Sequence, residues 1–173
     1  TTLAKAIARE CGIKFVNVSA SRWQSTDHLG QHIAAITNDF ALARRYAPSI
    51  MFIDEIASLG KRNADQDNSY YQNMVINTVL QEIQGFIDKE KVIVIGATNF
   101  DSLIDPALMR AGRLDKVVHV KFPNTEALEK IYEYYLSPYK EMDRLDKDID
   151  FKTLGNLSFG LTGADVEQFV RGA

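Results

Sequence analysis

Two runs of four apolar residues, Ile50 to Ile53 (IMFI) and Val92 to Ile95 (VIVI), constrain this chain more than any other feature. Neither run alternates with polar residues. A strand with one wet face alternates, whereas a short unbroken apolar run suits a strand covered on both faces, as in parallel sheets. Lys14 to Ser19 (KFVNVS) and Lys116 to Val120 (KVVHV) are two further candidate strands. Helical patterns fall between them. Leu3, Ile7 and Cys11 recur every four residues, with Gly12 as a stop signal, so residues 1–11 are predicted helical. Leu29, Ile33, Ile36, Phe40 and Ala43 form one apolar helical face, broken at Pro48. Val75, Ile76, Val79, Leu80 and Ile83 form another, ended by Gly85, after a polar loop from Lys61 to Ser69. Asp105 followed by Pro106 starts a short helix, with an N-cap and then proline at the first position.

Strands alternating with helices predict an α/β fold around a parallel sheet. After Pro123 no strand signal returns. Leu128, Ile131, Tyr132 and Tyr135 mark a helix, and Lys140 to Asp150 is a charged, solvated connection. Thr162 with Asp165 resembles a capping box before a helix carrying Val166, Phe169 and Val170. Residues 1–122 are therefore expected to form the α/β core, and 123–173 the start of a smaller all-α unit.

Composition removes several function classes. A net charge of −3 without a basic block gives no support for coating nucleic acid. A single cysteine, Cys11, excludes an internal disulfide framework and a cysteine-based zinc site. No apolar run approaches the ~20 residues that span a bilayer, and no signal peptide is visible. The chain opens on Thr1 within a helical pattern, which reads as an excerpt of a longer protein.

Chemistry concentrates where apolar strands end. Asp54 and Glu55 close the IMFI strand, and open α/β sheets bind ligands outside the carboxyl ends of their strands. Asp54 is placed to hold a hard cation and Glu55 to orient and deprotonate a water. A strand ending in polar residues is the plainer alternative. Asn99, just after the VIVI strand, could bond a phosphate or the attacking water, or simply make a turn. Arg110 and Arg113 carry planar, permanently charged forks suited to phosphate, although alone they read as solvated arginines. His28 and His32 lie four apart, but no glutamate separates them to act as a base; they read as surface residues.

In order and spacing, IMFIDE, then GATN, then DPALMRAGRLD resemble the Walker B motif, sensor 1 and second region of homology of the AAA ATPase family. The opening TTLAKAIA is similar to the helix after that family's Walker A phosphate loop, and SFGLTGADVEQFV to its lid segment. The resemblance implies a sheet of the P-loop NTPase type whose central strand and phosphate loop precede Thr1. No G-x-x-x-x-G-K-[ST] motif occurs in the chain, so the excerpt is expected to be inactive alone, with the edges of Val92 to Ile95 and Lys116 to Val120 lacking a shared neighbour. It implies ATP and Mg²⁺ as cofactors, with Asp54 and Thr1 as the Mg²⁺ residues, Glu55 polarising the water, and Asn99 as sensor 1. Arg110 and Arg113 match arginine fingers that reach a neighbouring subunit's ATP, while Gly163 and Ala164 match lid positions near adenine and ribose. Arg22-Trp23 is similar to the basic-aromatic pairs in unfoldase pore loops, although Ser25 and Thr26 stand where glycine often follows; a core or surface anchor is the alternative for Trp23. Gln84-Gly85-Phe86 stands where related proteins carry Asp-Gly-Phe, a segment sensing the neighbour.

The implied function is ATP hydrolysis driving protein remodelling or unfolding by a homo-oligomeric, hexameric, cytoplasmic ring, with no nucleic-acid or membrane partner indicated. The alternatives are the ATPase module of an AAA zinc protease, decided by an H-E-x-x-H motif beyond Ala173, a non-hydrolysing scaffold, and a DNA-tracking motor.

Overall fold

A computed structural model describes residues 1–24, 28–62, 69–87 and 91–172. It divides into two compact units, Thr1–Val117 and Val118–Ala173. The first unit is built on a parallel sheet of three strands, β1 (Lys14–Ser19), β2 (Ser49–Asp54) and β3 (Val92–Gly96), in the order β1-β2-β3. Lys14 pairs with Ser49 and Ser19 with Asp54, while Ser49 pairs with Val92 and Ile53 with Gly96. Both edges of β2 are therefore hydrogen-bonded, and its residues are buried up to Asp54, which is half-buried. The unbroken apolar run IMFI is the sequence trace of that position.

Helices α1 (Thr2–Glu10), α2 (Ala20–Trp23), α3 (Leu29–Arg45) and α4 (Ser69–Ile87) complete this unit. In α3 the buried face is His32, Ile36, Phe40 and Ala43. In α4 the expected stripe is buried in full, with Phe86 added. The expected stop at Gly85 is not one, since α4 continues to Ile87. A Cβ at Gly85 would stand 3.1 Å from the Arg44 guanidinium. That group bonds Glu82 at 2.6 Å and lies over the Phe86 ring at 4.9 Å, so the bare backbone lets α3 and α4 close together.

Four further expectations are corrected. The helix at the N-terminus forms, but it buries Ala4 and Ala8 while Leu3, Ile7 and Cys11 are exposed. Small side chains allow α1 to approach the sheet closely, which a stripe of larger ones does not. β3 is half-covered rather than buried on both faces, with Ile93 57% exposed, because among the described residues it pairs with β2 alone. Lys116 to Val120 is not a strand: it has no ladder partner among the described residues, and Val117, Val118 and Val120 are exposed. Apolar alternation supplies side chains for a sheet but cannot supply the neighbour's backbone groups. After Asp105 the chain makes a series of turns instead of a helix.

Trp23 is a core residue. It is 0% exposed, its indole Nε1–H donates to Asp39 at 2.7 Å, and its ring lies 6.2 Å from that of Phe40. The same Asp39 carboxylate accepts from Arg22 at 2.7 and 3.0 Å. A side chain without exposed surface cannot grip a substrate, so the pore-lining expectation for Trp23 is not met. Ser25 and Thr26 lie outside the described residues, as does most of the polar loop expected at 61–69. His32 is also buried, against expectation, with its ring edge-on to Tyr71 and bonded to that hydroxyl; His28 is exposed.

The second unit packs α5 (Thr125–Glu141) against α6 (Phe151–Leu157) and α7 (Gly163–Gly172). Its core is Leu128, Tyr132 and Val166. Each helix opens on a side-chain cap. Asn124 accepts from the Ala127 N–H at 2.9 Å, and Asp150 from those of Lys152 and Thr153 at 3.2 Å. Thr162 and Asp165 form the reciprocal box: the Thr162 N–H donates to Asp165 at 2.7 Å and the Asp165 N–H to Thr162 Oγ1 at 3.2 Å. Helix α6 is short and carries Gly155, a poor helix former, in its interior, which hid it from periodicity. Gly155 has a reason: a Cβ there would stand 2.7 Å from the Thr125 carbonyl oxygen and 3.1 Å from Glu129 N.

Two stability outcomes are expected. Trp23→Ala leaves a cavity and takes one donor from Asp39, costing about 3–5 kcal/mol in denaturant unfolding. Gly155→Ala forces α5 and α6 apart, costing about 1–3 kcal/mol, read as a lower melting temperature.

Candidate active site

A cleft of about 260 Å³ opens at the carboxyl ends of β1 and β2, lined by Asn17, Val18, Ser19, Arg22, Asp54 and Glu55. Local backbone chemistry aims its two carboxylates. Beyond β2 the ladder is prolonged by two bonds, from Ala97 N–H to the Ile53 oxygen at 2.9 Å and from Ile56 N–H to the Ala97 oxygen at 3.0 Å. Between them Glu55 is forced into the left-handed region, at φ 53° and ψ 39°. That conformation costs a side-chain-bearing residue roughly 1–2 kcal/mol, and such strain is typically found at functional positions.

The kink turns the Glu55 carboxylate back toward the end of β1. Glu55 Oε2 accepts from Ser21 Oγ at 2.7 Å and more weakly from Ser19 Oγ at 3.4 Å. The two serine hydroxyls are themselves 2.6 Å apart. Asp54 has other partners: Oδ1 accepts from the Glu55 N–H at 3.1 Å and Oδ2 from Thr1 Oγ1 at 3.1 Å. Thr1 and Asp54, distant in sequence, thus present a hydroxyl and a carboxylate side by side. Hard oxygen donors with a single carboxylate fit Mg²⁺, which is usually held by one or two carboxylates plus waters and substrate phosphates. Among the described residues no group of three or more His, Cys, Asp or Glu side chains could hold a metal unaided.

Asn99 is exposed just beyond β3, two residues after Ala97, whose backbone is bonded to the kink at Glu55. Gly163 and Ala164 lie in the second unit at the start of α7. Arg110 and Arg113 do not line the carboxylate cleft. They line a separate one of about 620 Å³ with Arg62, Asn77, Leu80, Gln81, Gln84, Gly85 and Ala107. Gln84 therefore shares a cleft with the arginines. Arg113 is held by its own turn, donating from Nη1 to the Ala107 oxygen at 2.8 Å.

Sequence reasoning missed the serines and the pair formed by Arg62 and Asp105, and it assigned Arg22 to a pore loop where the structure has it lining the carboxylate cleft. The strand-end rule applied to β2 applies equally to β1, and would have found Ser19 and Ser21. Asp105 is 3% exposed in its side chain, yet ionised. Burial alone would push its carboxyl up. Hydrogen bonds from Arg62 and Ala107, with the guanidinium charge, outweigh this and hold it below the usual carboxylate range. Arg62 is raised in turn, chiefly by its bond to Asp105.

The profile of the ATPase family associated with various cellular activities (AAA) matches residues 1–122. The chain is 36% identical over 167 residues to an ATP-dependent zinc metalloprotease, FtsH 3, of Sphaerobacter thermophilus, covering 96% of this chain and 33% of that protein. It is 36% identical over 169 residues to a proteasome-activating nucleotidase of Sulfurisphaera tokodaii, covering 96% of this chain and 42% of that protein. Against the ATP-dependent zinc metalloprotease YME1L1 of Mus musculus it is 35% identical over 173 residues, covering the whole of this chain and 24% of that protein. The chain thus spans less than half the length of each of these relatives. Among the described residues no helix is long and apolar enough to cross a membrane. A profile match over most of the chain, centred on a parallel sheet with paired carboxylates at its mouth, decides the family: this chain belongs to the AAA ATPases.

Proposed function

We propose that the chain is the ATP-hydrolysing module of an oligomeric ring, hexameric and cytoplasmic, that remodels or unfolds protein substrates. The observation carrying this reading is the Asp54–Glu55 pair at the end of β2, with a hydroxyl bonded to the first carboxylate and a strained backbone aiming the second. Glu55 orients a water, accepts its proton as the water oxygen attacks the terminal phosphorus, and later returns the proton to the products. The bond between that phosphorus and the bridging oxygen breaks, leaving ADP and phosphate. Thr1 and Asp54 would hold Mg²⁺, which when bound supplies positive charge against the phosphate oxygens. Asn99 is assigned to the terminal phosphate or the attacking water. Gly163 and Ala164 are assigned to the nucleoside.

Arg110 and Arg113 complete the site from the neighbouring subunit. Their cleft shares no lining residue with the carboxylate cleft, which supports donation in trans over action on the same subunit's nucleotide. A guanidinium so supplied stabilises charge on the transferring phosphoryl group. Two of the three relatives are named zinc metalloproteases and are much longer than this chain, which favours a protease-linked ring as the second reading. An H-E-x-x-H motif in the parent protein decides it.

In the full-length protein, Glu55→Gln is expected to retain ATP binding and to lower turnover by about 10²–10⁴-fold, since the amide cannot take the proton. Turnover within a few-fold of wild type overturns the assignment. Mixing Arg113→Ala with Glu55→Gln subunits is expected to restore part of the activity that each lacks alone, because one interface then holds both intact groups.

A further inference from the structure

The turn bearing Arg110 and Arg113 has little regular structure to hold it, yet its base is tightly fastened. Asp105, almost fully buried, receives four donors. Oδ2 accepts from Arg62 N–H and Arg62 Nε at 2.9 Å each, and Oδ1 from Arg62 Nη2 at 3.0 Å and from the Ala107 N–H at 2.8 Å. Ala107 is the residue whose carbonyl accepts from Arg113. The chain of contacts therefore runs from Arg62 through Asp105 and Ala107 to the Arg113 guanidinium without a gap. Two backbone bonds, Leu108 N–H to the Asp105 oxygen at 2.9 Å and Leu114 N–H to the Leu108 oxygen at 3.0 Å, close the turn around it.

The other end of this chain of contacts is the hydrolytic segment. Glu55 is followed by a 3-10 turn, Ile56–Leu59, and Gly60 at φ 72°, and Arg62 comes two residues later. This segment is fastened as well, because Gln72 of α4 donates to the Leu59 oxygen at 3.0 Å. Asp105 itself does not line the arginine cleft. A role for it in the shared site must act through another residue.

We propose that Arg62 and Asp105 are positioning residues for Arg110 and Arg113: their forked ion pair, buried on the Asp105 side, sets the angle at which one subunit presents its arginines to the next. The inference rests on the reading of those arginines as groups lent in trans. It assigns the pair to the donor side of each interface. An Arg–carboxylate fork suits this role because two parallel bonds fix a plane, which a single point charge does not.

The test uses mixed rings of the full-length protein. Asp105→Asn alone is expected to lower turnover about 10- to 100-fold with KM for ATP changed less than about twofold, the pattern of a misplaced group felt in the transition state. Mixed with Glu55→Gln subunits, whose arginines are intact, it should regain activity. Mixed with Arg113→Ala subunits it should not, because every donor is then defective. Arg62→Lys, which keeps the charge and loses the fork, should show the same one-sided rescue. Recovery with Arg113→Ala in place of Glu55→Gln, or unchanged turnover, overturns the proposal.

The double variant Arg62→Gln with Asp105→Asn guards against a folding artefact, since no buried charge is left unpaired. If it and the single variants all fail to form rings, the pair is required for folding and the proposal is lost. The Arg113→Ala and Glu55→Gln mixture is the control. Its failure removes the trans reading and this inference with it. Its success beside an unrescued Asp105→Asn removes this inference alone.

Discussion

Everything in the first unit hangs on the two-sided hydrogen bonding of β2. With β1 on one edge and β3 on the other, the strand has no backbone group to offer water and no face to leave wet, so it is apolar from Ile50 to Ile53. Burial of that strand makes the position of its last residue definite. Asp54 stands at the rim, half-buried, where its two oxygens are already divided between the Glu55 N–H and the Thr1 hydroxyl. The ladder then runs one residue past the strand through Ala97, and the mismatch between that bond and the chain's exit is absorbed at Glu55 as a left-handed backbone. A carboxylate on a strained, doubly anchored turn has few directions to point. Here it points at the serines ending β1 and following it.

The same unit carries Arg110 and Arg113 in a cleft that shares no lining residue with the carboxylate cleft, where Arg22 is the cation. Both carboxylates stand at the mouth of the sheet, and Arg62, Arg110 and Arg113 line a separate cleft against α4. Such a division is the physical ground for the proposal that one subunit contributes carboxylates and the next guanidiniums to each junction. A self-contained hydrolase would gain from placing both around one nucleotide.

Where the fold departs from expectation, the reason lies in what each backbone can pair with. Val92–Gly96 has the composition of a central strand and the exposure of an edge strand, because composition reports which side chains could be buried, and exposure reports which neighbours are there. Trp23 shows the same logic for a side chain. An aromatic beside an arginine suits a gripping loop, but Asp39, in the second half of α3, accepts the indole hydrogen and the arginine together and draws the ring into the core. Neither pairing has a trace in local sequence, since Asp39 is separated from Arg22 and Trp23 by 17 and 16 residues.

Elements whose signal spans only a few residues are legible in the chain itself. The apolar runs became β2 and β3, the stripe from Val75 to Ile83 became the buried face of α4, and Thr162 with Asp165 became a reciprocal cap. The carboxylates ending IMFI were legible for the same reason, because a strand's end is visible where its apolar run stops. Only packing between distant segments sets the bonds of Thr1 to Asp54, of Ser21 to Glu55 and of Arg62 to Asp105. Those contacts join segments tens of residues apart. Periodicity and capping preferences are set by neighbours within a few residues along the chain, whereas a buried hydrogen bond or ion pair is chosen by whichever partner packing delivers to within 3 Å or so.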